Sequence, residues 1–134
     1  MDAKTNFLED RVLDRVLKNN ADFSYTFPAT VYAGLFTADP TETGSLTNEV
    51  SGVSYARQAI TWGTIAAGTV ANSVAVTFPV AGGSWGPITY VGILDVVTLA
   101  TGNMLYYGVL GTPKTVGLGD QVSFAIGALT IAET

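Results

Sequence analysis

The side chains most often recruited for acid–base, nucleophilic or metal chemistry are missing here, because the 134-residue sequence contains no His and no Cys. That removes the usual physiological-pH base, the thiolate nucleophile, disulfides and sulfur-ligated zinc. A Ser or Thr nucleophile would need Lys or a carboxylate as its base. Lys4 and Lys18 fall in a segment with helical spacing, and Lys114 follows Pro113 in a turn, so each has a plainer role. Carboxylates remain: two drawn from Asp39, Glu42, Glu49, Asp95 and Asp120 would suffice for glycoside hydrolysis. Three of the five share the polar stretch 38–53, where solvating charge is the simpler expectation. No D-x-D-x-D-G loop marks a calcium site, and Gly117-Leu118-Gly119 lacks the third glycine and following helix of a phosphate cradle. The expectation is a chain without catalytic residues, metal or cofactor.

Aromatic residues offer a second kind of chemistry. Trp62, Trp85, Tyr55, Tyr90, Tyr106 and Tyr107 could stack on sugar rings if exposed, although packing in the core and at subunit interfaces is the favoured reading. Adjacent Tyr106 and Tyr107 must point to opposite faces of a strand, so one can be buried while the other meets a partner. Arg57 is the lone cation between Lys18 and Lys114. It is expected to position its strand through an ion pair or backbone carbonyls, with a contact between subunits as the alternative.

The elements that must carry these residues divide the chain in two. Residues 6–19 read as an amphipathic helix, with Leu8, Val12 and Val16 at i, i+4 and i+8 beside Leu13 and Leu17, and with Glu9, Asp10, Asp14, Arg15 and Lys18 on the other face. Asn6 followed by Glu9 resembles a capping box. After Asn19-Asn20 the pattern changes to period two with β-branched and aromatic enrichment. Strands are expected at 29–37, 54–62, 72–78, 88–96, 104–110 and 121–131, with a short one near 114–118. Turns are expected at Thr101-Gly102-Asn103 and Gly119-Asp120, and every connection except 38–53 is short. In the last strand Val122, Phe124, Ile126 and Ala128 should share one face. The fold class that follows is mainly β, an antiparallel β-sandwich or flattened barrel of six to eight strands with one N-terminal α-helix. A single domain over 1–134 is expected, with the helix as an appendage or a lid on one sheet.

Composition points toward assembly. Apolar residues make up 48% of the chain and charged ones 13%, about half the usual ~25% share, with a mean hydropathy of +0.36. Such a chain is expected to have surface covered by other subunits. Eleven acidic against six basic residues, net −5, argue against nucleic acid or an anionic membrane as partner. The opening Met1-Asp2-Ala3-Lys4-Thr5-Asn6 does not read as a signal peptide, which implies that the protein starts life in a cytoplasm. Residues 58–94 carry no charge, yet Gly63, Gly68, Pro79, Gly82, Gly83, Gly86 and Pro87 interrupt them and rule out a spanning helix.

Several segments in order resemble a family of small tailed-bacteriophage virion proteins, described as tail-fibre-like and in some phages as capsid decoration. They are the amphipathic helix, residues 28–40 (Pro28 through Pro40), Glu49-Val50-Ser51-Gly52 with Tyr55-Ala56-Arg57-Gln58-Ala59, then Phe78-Pro79 and Ser84-Trp85-Gly86. Val91-Gly92-Ile93-Leu94-Asp95, residues 110–116 and a closing strand after Gly119-Asp120 complete the set. The resemblance implies a non-enzymatic virion component in head or tail alike; size, 134 residues with no long fibrous repeat, favours the head surface over the tail. A decoration protein would bind the major capsid protein and itself, as a homotrimer, to cement the mature head. The alternative is a tail or fibre-associated protein that contacts host glycans. Interface candidates are Leu8, Val12, Arg15 and Val16 on the helix, together with Arg57, Trp85 and Tyr107.

Overall fold

The computed structural model describes residues 3–19 and 25–133. Its centre is a five-stranded antiparallel sheet in the order β1-β7-β6-β2-β3, built from β1 (Ala3–Lys4), β2 (Tyr32–Phe36), β3 (Gln58–Ala59), β6 (Gly86–Leu94) and β7 (Met104–Val116). Two small antiparallel pairs accompany it: β4 (Thr69–Ala71) with β9 (Thr130–Ala132), and β5 (Val76–Thr77) with β8 (Ser123–Phe124). The architecture is mainly β with one N-terminal helix, as expected. The main sheet is open, and the described residues hold nine strands, four of them only two residues long.

Along β2 and the end of β6 both faces of the main sheet are covered, which explains why β2 reads Tyr-Ala-Gly-Leu-Phe and β6 ends Val-Gly-Ile-Leu with little polar alternation. On one face Ala33, Leu35, Val91 and Ile93 join Phe78, Trp85, Leu129 and Ile131 in the larger core cluster. On the other, Phe36, Leu94 and Met104 form a smaller cluster with Leu46, Tyr90 and Tyr107 packed against it. Gly92 makes that second layer thin: a Cβ there would sit 2.9 Å from both Met104 Cε and Phe36 Cε1. Tyr106 packs on the first cluster and Tyr107 on the second, so the two neighbours do face opposite ways.

Several expected strands have different bounds. The 104–110 and 114–118 segments fuse into the thirteen-residue β7, which continues through Gly111-Thr112-Pro113 because β6 pairs with both its ends. The 54–62 segment is strand only at Gln58–Ala59, since the chain around Tyr55 and Arg57 turns its side chains inward to make specific polar contacts. The 121–131 segment breaks into β8 and β9. Gly127 takes φ +80° and Ala128 N–H bonds Ala125 O, so Ile126 points outward, 69% exposed, instead of joining a buried face. The connection between β6 and β7 spans residues 95–103 and is longer than the expected Thr101-Gly102-Asn103 turn. Gly119-Asp120 is a turn, with Asp120 Oδ2 accepting from Gly117 N–H. Asn20, the second residue of the Asn19-Asn20 break, lies outside the described residues, as does the Met1-Asp2 start.

Candidate assembly surface

The N-terminal arm is anchored at its base and exposed at its end. β1 pairs Ala3 with Tyr107 and Lys4 with Tyr106, adding a short strand to the edge of β7. Lys4 Nζ donates to Glu133 Oε2 at 2.8 Å, and the Tyr106 hydroxyl donates to the other oxygen of the same carboxylate. The Lys4 hydrogen bond, followed by that from Tyr106, holds the Glu133 carboxyl below the usual range. Burial, reinforced by that carboxylate, pushes the Tyr106 phenol up.

Helix α1 (Asn6–Leu13) begins at the next residue but one. Its cap is Thr5, one position before the expected Asn6: Thr5 is extended (φ −80°, ψ 158°), and its hydroxyl accepts from Leu8 N–H at 3.4 Å while donating to Met104 O at 2.6 Å. Thr5 N–H bonds Leu105 O and Asn6 N–H bonds Glu42 O, so strand, helix and the 38–53 loop meet at one buried point. The physical reason for the shift is that Thr5 follows β1 against the sheet, whereas Asn6 is exposed.

Beyond that first turn the apolar stripe leaves the body. Leu8 is buried and Val12 half-buried, but Leu13, Val16 and Leu17 are 54%, 71% and 74% exposed. The expected continuous helix to residue 19 ends as α-helix at Leu13 and continues as one π-helical turn, Asp14–Lys18, closed by Asn19 at φ 44°. The arm is therefore a lid at its base and an appendage at its end.

The carboxylates expected to solvate the long loop, or to form a hydrolytic pair, are largely structural. Glu49 is buried: its Oε2 accepts from Arg57 Nε at 2.7 Å and the Tyr55 hydroxyl at 3.0 Å, and its Oε1 accepts from Arg57 Nη2 at 2.7 Å. Arg57 Nη1 donates onward to Val96 O and Thr101 O, so one guanidinium ties the 38–53 loop to the connection between β6 and β7. The Tyr55 hydroxyl also accepts from Leu35 N–H. Burial and then the Glu49 charge push its phenol up. Asp95 accepts from Asn103 N–H, Asn103 Nδ2 and the Tyr25 hydroxyl. Glu49 and Asp95 are thus committed to local donors, and what they do chemically is hold the backbone.

Trp85 is also interior. It is 4% exposed, donates from Nε1 to Val53 O at 2.9 Å and meets Tyr55 edge to face at 5.4 Å, leaving no ring face for a sugar. Trp62 instead lines an open apolar groove of about 330 Å³ with Ile65, Val70 and Ile131. Tyr107 and Tyr90 lie partly exposed on the second sheet face, where Tyr90 is directly opposite Val109. Both phenols are pushed up, first by desolvation and then by carboxylates: Asp39 at Tyr90, and Glu42 and Asp39 at Tyr107.

The structure accordingly buries Leu8 and half-buries Val12 at the base of the arm, exposes Arg15 and Val16 at its end, places Tyr107 on the second sheet face, and leaves Arg57 and Trp85 inside. Sequence reasoning missed Thr5, and it named Tyr90, Asp39 and Glu42 only separately, without the proximity that lets Asp39 act on Tyr90 and both carboxylates act on Tyr107. Thr5 had a readable signal, a capping residue type three positions before the first buried apolar residue.

No curated protein matches the chain. Residues 3–132 match the family described as podophage GP4 fiber I protein gp80. With nearly its whole length matched, anchored arm and open sheet included, the chain belongs to this family of phage fibre proteins and is a structural component of a bacteriophage virion.

Proposed function

We propose that this chain is a non-enzymatic, globular subunit of a virion fibre, working by binding other chains. The observation that carries the reading is the match of residues 3–132 to a fibre protein family. Two further features support it. The polar groups with catalytic potential, Glu49 and Asp95 foremost, are saturated by backbone and side-chain donors, and large apolar side chains stand exposed at the arm's end. At 134 residues without a fibrous repeat, the chain does not form a long shaft alone. A base or tip position, occupied as a trimer, suits it. Head decoration, with the major capsid protein as partner, is the competing placement.

Gold-conjugated antibody against this protein, applied to intact virions and viewed by electron microscopy, tests the reading. Label on fibres is expected. Label spread over the head shell with bare fibres overturns it in favour of capsid cementing.

A further inference from the structure

The exposed end of the arm and the tyrosine face of the sheet are complementary in polarity and charge. Leu13, Val16 and Leu17 give the arm an uncovered apolar surface, and Arg15 and Lys18 flank it. Among the described residues neither cation has a carboxylate within ion-pair distance, whereas Lys4 and Arg11 are paired to Glu133 and Asp14. Charge is segregated along the chain: residues 3–19 carry four basic and three acidic side chains, and residues 25–133 carry two basic and six acidic ones. On the body, Tyr90, Tyr107 and 60%-exposed Val109 share the second face, and Asp39 and Glu42 lie in the loop that follows Phe36, the residue paired with Tyr90. Glu42 accepts from Asn6 N–H through its backbone carbonyl, which fixes this loop beside the start of the arm helix.

We propose that copies of this chain bind one another head to tail, the arm end of one copy seated on the Tyr90–Tyr107 face of the next with Arg15 and Lys18 against Asp39 and Glu42. The apolar contact supplies the attraction and the charges fix the orientation. Because the two surfaces are different patches, the contact is heterologous and propagates until a ring closes. This rests on and deepens the assembly reading without depending on where in the virion the protein sits.

The test is light scattering coupled to size exclusion on the full chain, with circular dichroism to confirm folding. The unaltered chain is expected to run as a multiple of 13.9 kDa. Arg15→Glu with Lys18→Glu should weaken self-association at least tenfold. Asp39→Asn with Glu42→Lys should do the same while keeping the acceptor that Asp39 offers to Thr41 N–H. Mixing the two folded variants should restore association, because each supplies the surface whose charge matches the other's. A monomeric unaltered chain, unchanged association in both variants, or a mixture no better than either variant overturns the proposal. A monomer whose antibody still labels fibres overturns this contact and leaves the fibre reading standing.

Discussion

Arg57 and Glu49 meet side-on, Nε to Oε2 and Nη2 to Oε1 at 2.7 Å each, with side chains 0% and 4% exposed. Removing one partner from such a pair leaves a desolvated charge with nothing opposite it. Glu49→Ala is therefore expected to cost ~3–5 kcal/mol of stability in urea denaturation. The double variant Glu49→Ala with Arg57→Met should lose less than the two single losses added together. Strict additivity would show that the pair is not coupled.

The cap position separates two neighbouring residues that look equally suited to it. Thr5→Ala removes a buried hydroxyl that serves both Leu8 N–H and Met104 O, and should cost ~1–2 kcal/mol. Asn6→Ala, at an exposed position, should stay within ~0.5 kcal/mol. Thermal melts of both variants decide the matter, and equal losses would return the cap to Asn6.

Close packing at Gly92 predicts a third effect. With Met104 Cε and Phe36 Cε1 both 2.9 Å from where an added methyl would sit, Gly92→Ala should destabilise by ~1–3 kcal/mol through overpacking. Adding Met104→Ala should recover part of that loss, because it vacates one of the two obstructed directions. Chemical denaturation of the double variant, no more stable than the sum of the single losses implies, would contradict this.

The arm's attachment should depend on acid. Glu133 has its folded carboxyl held below the usual range by Lys4 and Tyr106. Its contribution is therefore complete above the unfolded carboxylate pKa and is lost as pH falls through the folded value. Hydrogen exchange at Thr5 N–H, which bonds Leu105 O, should accelerate relative to the intrinsic rate over that acidic window and stay level around neutrality. Glu133→Gln should abolish the dependence. A pH-independent protection ratio in the unaltered chain would show that β1 is held by its backbone bonds alone.

How much of this is legible in the sequence depends on whether the signal is local. The helix start, the strands β2 and β6 and the opposed faces of Tyr106 and Tyr107 follow from short-range periodicity, which the side-chain geometry of helices and strands enforces. The bounds of β7 do not, because Gly111-Thr112-Pro113 is a turn-like string that lies in an irregularity within the strand, β6 pairing with Val109 on one side of it and Lys114 on the other. Glu49 is opaque for a similar reason: its neighbours in sequence are polar, and its partner Arg57 lies across a loop whose path the sequence does not state. Trp85 has the sequence surroundings of an exposed aromatic, whereas in the fold the Val53 carbonyl claims its ring nitrogen. For the assembly surface, charge segregation is visible in the order of residues, but the meeting of Asp39 and Glu42 with Tyr90 and Tyr107 requires the folded loop.

β1 pairs with β7 at Tyr106 and Tyr107 alone, so beyond them residues 108–109 and 114–116 pair with β6 on one side and with no described strand on the other, while 110–113 bulge between them. A free strand edge of that length is where crowded copies would zip together at random during virion production. Pro113 brings no N–H to such a zipper, and Lys114 would have to surrender its hydration to enter one. The same proline and lysine that make this stretch look like a loop in the sequence thus act as a safeguard against fibrous aggregation, keeping the chain available for ordered contacts.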